Sequence, residues 1–176
     1  MSITRAEATE VANCKLRTMG ASGVELQLLA GKIEEFDVGW VFFYQSARYI
    51  ETGDFSDSVV GNAPLFVSRS DGRLFPVSYH RSLAESMAAY RACGNPNAQE
   101  IPEVCLCGRR EGAQSVLAIQ AIRQHSAVGL AHANSAVESC FEDKSPIVSV
   151  SSVAEARVLV AVLAEAGFEA QVCYDG

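Results

Sequence analysis

Positive charge is in short supply in this sequence. Its 14 lysines and arginines stand against 21 aspartates and glutamates, a formal net charge of −7. That balance argues against nucleic acid or an anionic membrane as a direct partner and favours a basic protein. No apolar run approaches the roughly 20 residues that a membrane-spanning helix needs. The N-terminal MSITRAEATE is a capped helix start without the apolar segment of a secretory signal, so the chain is expected to be cytoplasmic. Three histidines are present (His80, His125, His132). His125 and His132 are separated by a helix break and lack the i, i+4 spacing of a helical metal pair. The six cysteines (Cys14, Cys93, Cys105, Cys107, Cys140, Cys173) include no Cys-x-x-Cys, because a single residue separates Cys105 from Cys107. They sit mostly in apolar stretches and read as reduced thiols packed as small hydrophobes. A nucleophilic pairing of Cys14, Cys93 or Cys140 with a histidine lacks any surrounding signature. Gly129-Leu130 comes without the glycine-rich run or lysine of a phosphate loop and reads as a turn between helices. No metal, no cofactor and no catalytic group is expected, and the chain is read as a non-enzyme.

What is present is an ordinary globular balance, with 49% apolar and 20% charged residues, enough to bury one core or two small ones. The stretch from Gly39 to Pro64 organises the rest. It opens on the only tryptophan and the densest aromatic run, Trp40-Val41-Phe42-Phe43-Tyr44. Side chains alternate along a strand, so Trp40, Phe42 and Tyr44 share one face while Val41 and Phe43 share the other. With both faces apolar, this is a central strand covered on both sides. Tyr44 and Tyr49 are expected to be more open, because a phenol favours one wet end.

Around this strand the pattern predicts a compact α+β unit. Thr4 and Glu7 form a capping box ahead of Ala8, Val11, Ala12, Leu16 and Met19 at helical spacing, with Gly20 as the stop. Val24 to Leu28 alternates as a half-buried strand, and Lys32 to Asp37 reads as a charged connection. Two strands flank Asp71-Gly72, a type I′ hairpin signal that sets Phe66 opposite Val77. Pro76 makes the second of them an edge or bulged strand. Ser82 and Glu85 cap a helix carrying Leu83, Met87 and Tyr90 and ending at Gly94. Gly94-Asn95-Pro96-Asn97 is the linker, dividing the chain into domains 1–96 and 97–176. Beyond it the order is β-α-α-β-α-β. Val116, Ile119 and Ile122 mark the first helix, and Leu130, Ala133, Val137 and Phe141 the second. Ser152 and Glu155 cap the third.

Trp40 to Tyr44, then Tyr49 and Glu51-Thr52-Gly53, then Gly61-Asn62-Ala63-Pro64 leading into a strand, resemble the immunity protein 35 family (YrhB-like). The likeness covers roughly the first half of the chain. It implies association with a polymorphic toxin system and binding of a cognate toxin. It also implies a scaffold (Trp40, Phe42, Phe43, Tyr44, Gly61, Asn62, Pro64) in place of a catalytic centre. The second half, through Val116 to Arg123, Gly129-Leu130, Ala133, Val137 and Glu165-Ala166-Gly167, resembles the C-terminal domain of the bacterial ribosomal stalk protein. That resemblance speaks to fold. Where the stalk family carries lysines on its factor-binding face, this chain has Gln120, His132 and Asn134.

Between Glu25 and Asp57 seven acids (Glu25, Glu34, Glu35, Asp37, Glu51, Asp54, Asp57) face two bases, Lys32 and Arg48. For Glu34, Glu35 and Asp37 a solvated rim is the simpler account. For Tyr49, Glu51, Asp54, Phe55 and Asp57 a solvated loop and a binding loop stand about level. Aromatics interleaved with acids give anchors plus electrostatic steering. The expectation is an intracellular immunity protein whose Tyr49–Asp57 segment occludes a basic toxin. The rival from another class is a translation-associated or chaperone-like adaptor that grips a GTPase or client through the stalk-like half.

Overall fold

Thr4 opens the first helix through a closed capping box with Glu7. In the computed structural model, which describes residues 2–20 and 23–175, this helix (α1, Arg5–Met19) buries Ala8, Ala12 and Leu16. Four antiparallel strands follow: β1 (Leu26–Phe36), β2 (Gly39–Ser46), β3 (Leu65–Ser68) and β4 (Leu74–Pro76), in spatial order β1-β2-β3-β4. A short helix, α2 (Ala47–Thr52), and a single 3-10 turn, Phe55–Asp57, stand between β2 and β3. Helix α3 (Leu83–Cys93) closes the unit through the Ser82/Glu85 capping box and ends at a left-handed Gly94.

The expected double burial of β2 is what the fold is built on. Trp40, Phe42 and Tyr44 pack with Leu65, Val67 and the α1 face. Val41 packs with Phe66, Val77 and Met87 of α3 on the opposite side. The unit is thus a sheet between two helices, and each large side chain taken out of water there contributes about 1.5–3 kcal/mol. Gly39 allows the close start of β2, because a Cβ there would stand 2.2 Å from the Val67 carbonyl oxygen. Tyr44 corrects an expectation: it is 5% exposed, and burial pushes its phenol up.

Two further readings are corrected. Lys32 to Phe36 is strand, not connection: β1 runs to Phe36, with a register shift between Leu28 and Ile33. An edge strand can keep charged side chains in water while its backbone still pairs, and composition alone cannot see that. The Asp71-Gly72 hairpin is also not type I′. Gly72 has φ 70 but Asp71 does not have positive φ, and the Ser68 N–H donates to the Arg73 carbonyl across a four-residue turn. The longer turn resets the register, so Phe66 pairs with Phe75 and Leu65 with Pro76. The Phe66, Phe75 and Tyr90 rings then meet, with Tyr90 edge-on to both.

The chain divides into two compact units, Met1–Asn97 and Ala98–Gly176. The turn-rich segment before the division is not slack. The Asn97 side chain accepts from the Ser78 N–H and donates to the Pro76 carbonyl, while an Arg81 nitrogen donates to the Pro96 carbonyl.

The second unit follows the expected order: β5 (Glu100–Arg109), α4 (Ser115–His125), α5 (Leu130–Phe141), β6 (Ile147–Ser149), α6 (Val153–Glu165) and β7 (Phe168–Tyr174). Its antiparallel sheet has the order β6-β5-β7. Val104, Leu106, Val148, Phe168 and Val172 pack against the three helices. On α4, Ile122 and Ile119 face the core as expected, and Val116 does not. Ala118, Ala121 and Ile122 are buried while Val116 is 67% exposed, because small alanines let α4 approach its neighbours and the bulkier valine projects outward. Leu130 and Phe141, at the ends of α5, are likewise exposed, and Ala133, Val137 and Cys140 carry its contact.

Candidate functional site

The segment expected to be a binding loop is a small folded platform. Ser46, the last residue of β2, caps α2 by accepting from the Tyr49 N–H, and its hydroxyl also donates to the Asp57 carbonyl. Gly53, at φ 70, ends α2 in the left-handed conformation that glycine adopts without strain. The Asp54 carboxylate then caps the next turn by accepting from the Ser56 N–H (3.0 Å) and hydroxyl (2.9 Å), and those bonds hold it below the usual carboxylate range. Farther along, the Gln45 amide accepts from the Val59 N–H (2.6 Å) and donates to its carbonyl (2.9 Å). The Asn62 amide donates to the Tyr44 carbonyl at 2.6 Å. Three polar side chains thus tie residues 46–62 to the end of β2.

The five candidate residues separate on this platform. Phe55 is 74% exposed, and Glu51 and Asp54 are exposed beside it in sequence, whereas Tyr49 and Asp57 are half-buried. Asp57 is not a free charge. Its carboxylate meets the Arg48 Nε at 3.0 Å and lies 3.4 Å from the Thr52 hydroxyl. Glu51 and Asp57 line an open cleft of about 570 Å³ together with Glu25, Arg48 and Ser56, while Tyr49, Asp54 and Phe55 are not among its lining residues. The residues expected to form a scaffold differ in burial. Trp40 and Phe42 are fully buried, Phe43 is half-buried, Pro64 is buried, and Gly61 and Asn62 shape the return into β3.

Electrostatics sort the acidic stretch in the same way. Arg69 bonds the Glu35 carboxylate at 2.7 Å and lies 4.1 Å over the Trp40 ring. Arg91 of α3 pairs with Asp37. Those hydrogen bonds hold both carboxyls below their ordinary range. Glu35, Asp37 and Asp57 are therefore locally compensated, whereas Glu25 and Glu51, which line the cleft, meet no ion-pair partner among the described residues. Glu25 was counted in the sequence as part of a charged stretch, not as a neighbour of Glu51. Ser46 and Gln45 were missed as well. Their only signal was two polar residues closing an apolar strand, with Ser46 in N-cap position before α2.

Elsewhere, His125 Nδ1 lies 2.7 Å from the Glu155 carboxylate, joining the end of α4 to the first turn of α6. Among the described residues, no group of three or more His, Cys, Asp or Glu could hold a metal ion, and no helix is long and apolar enough to cross a membrane.

The sequence profile of the family described as Immunity protein 35 matches residues 6–93, a span that lies wholly within the first unit. Among curated proteins, the uncharacterized protein YrhB of Escherichia coli (strain K12) is 29% identical over 55 residues. That match covers 31% of this chain and 58% of YrhB's length. No solved structure matches the chain at a significant level.

Proposed function

The chain belongs to the immunity protein 35 family, and on that premise we propose that it is a cytoplasmic, non-enzymatic binder that neutralises a cognate toxin by covering the toxin's active or substrate-binding surface. The observation that carries the choice of surface is Phe55, 74% exposed on a platform pinned by Gln45, Ser46 and Asn62. An exposed aromatic is a poor contributor to the fold and a good anchor for a partner. Because the platform is already folded, docking orders less chain and loses less entropy. Glu25, Glu51 and Asp54 supply the negative field that speeds encounter with a basic toxin.

The test is co-purification with the product of the neighbouring reading frame, followed by binding kinetics on variants checked for folding by circular dichroism. Phe55→Ala is expected to weaken binding by about 30-fold, the equivalent of about 2 kcal/mol for a central anchor. Leu130→Ala, in the second unit, is expected to leave it unchanged. If Leu130→Ala releases the toxin and Phe55→Ala does not, the site lies in the second unit and this assignment fails.

A further inference from the structure

The second unit's sheet carries a pair of thiols in contact. Leu106 is fully buried, so Cys105 projects from the opposite side of β5; Cys105 is half-buried and Cys107 exposed. A bulge brings them together. Leu106 pairs with Ala170 and Gly108 with Glu169, leaving Cys107 as the extra residue with no Cα partner on β7. Bulges re-aim a side chain and free the local backbone from the ladder. The two Sγ atoms lie 3.8 Å apart, and the Cys107 S–H is within reach of both the Cys105 sulfur and the Cys105 carbonyl. Burial, the hydrogen bond with the Cys105 side chain and the neighbouring Cys105, Cys173 and Cys140 push the Cys107 thiol up to about 11, so it keeps its proton near neutrality. Neither cysteine belongs to the immunity platform.

We propose that Cys105 and Cys107 form a dithiol site that oxidants of the peroxide class convert reversibly to an intramolecular disulfide, with Cys105 attacked first and Cys107 resolving. In the first step the Cys105 sulfur attacks the peroxide O–O bond, giving a sulfenic acid and releasing one water. In the second, the Cys107 sulfur attacks the sulfenic sulfur, the S–O bond breaks, the Cys107 proton leaves with the hydroxide as a second water, and the S–S bond forms. Two thiols lose two electrons and one peroxide gains them. The sulfurs need to close from 3.8 Å to about 2.05 Å, a movement that the unpaired bulge residue permits.

The test treats the intact protein with hydrogen peroxide at neutral pH, alkylates the denatured product and maps its tryptic peptides. Peptide 92–109 contains Cys93, Cys105 and Cys107. It is expected to become two hydrogen atoms lighter with a single label, on Cys93, and to regain all three labels after dithiothreitol. Cys14 and Cys93, exposed on separate helices, act as internal controls for lone thiols. Cys107→Ser is expected to stop at a Cys105 sulfenic acid that dimedone captures. The proposal is overturned if Cys105 and Cys107 both keep their labels at a dose that oxidises Cys14 and Cys93. A bridge from Cys105 to Cys173, or a failure to trap the sulfenic acid in Cys107→Ser, overturns it equally.

Discussion

Ser46 shows how one side chain sets the stability of the platform. It is 2% exposed, and its hydroxyl meets both the Tyr49 N–H and the Asp57 carbonyl. Ser46→Ala removes an N-cap and leaves a carbonyl unsatisfied, for an expected loss of about 1–2 kcal/mol. Urea unfolding should show this as a lower midpoint at unchanged slope. Toxin affinity should also fall, because a loosened α2 no longer holds Phe55 in place. Trp40→Ala would be a poor probe of binding: the residue is 1% exposed in the core, and its loss is expected to unfold the unit.

At the scale of elements, the structure changes which charges are worth reversing. Asp57 invites replacement in the sequence, yet it pairs with Arg48, so its reversal would disturb the platform and confound the result. Glu25, before β1, and Glu51, on α2, line the same cleft, have no ion-pair partner among the described residues, and give the cleaner test. Glu25→Lys with Glu51→Lys is expected to slow association with a basic toxin several-fold at low salt. The deficit should shrink as ionic strength rises, since the Debye length falls to about 3 Å at 1 M salt. Stopped-flow association rates across a salt series decide it; a deficit that persists at high salt, or one confined to dissociation, would count against steering.

For the whole molecule, the division at Asn97/Ala98 leads us to propose two units that fold independently. The bonds of Asn97 run to Ser78 and Pro76, while the Gln99 carbonyl accepts from the Asp175 N–H at 2.9 Å. Separation after Asn97 therefore spares both sets. Residues 1–97 and 98–176 expressed as separate chains should each keep cooperative thermal unfolding, and a molten 98–176 would refute independence. Their acid responses should differ. Hydrogen bonds hold Glu7, Glu35, Asp37, Asp54 and Asp71 below the ordinary range in the first unit, against Glu142 in the second. A carboxyl with a depressed folded pKa contributes stability above its unfolded value and loses it as pH falls through the folded one. The first unit should thus lose more stability below about pH 4, and Arg69→Ala with Arg91→Ala should flatten that loss.

Local information sufficed wherever a residue's fate depends on its sequence neighbours. The capping boxes at Thr4 and Ser82 need a hydroxyl and a carboxylate three residues apart, and both formed. The double burial of Trp40 to Tyr44 needs only alternation on an apolar strand. Element order in the second unit followed for the same reason, whereas in the first the helix α2 and the turn after it replaced an expected loop. Contacts between distant segments were decided only by the tertiary structure. The register of Phe66 on Phe75 depends on turn length. The burial of Tyr44 depends on α1, and the outward turn of Val116 on how closely alanines let helices approach. The cleft between Glu25 and Glu51 exists because β1 pairs with β2 at Leu26 and Ser46, and no spacing along the chain encodes that proximity.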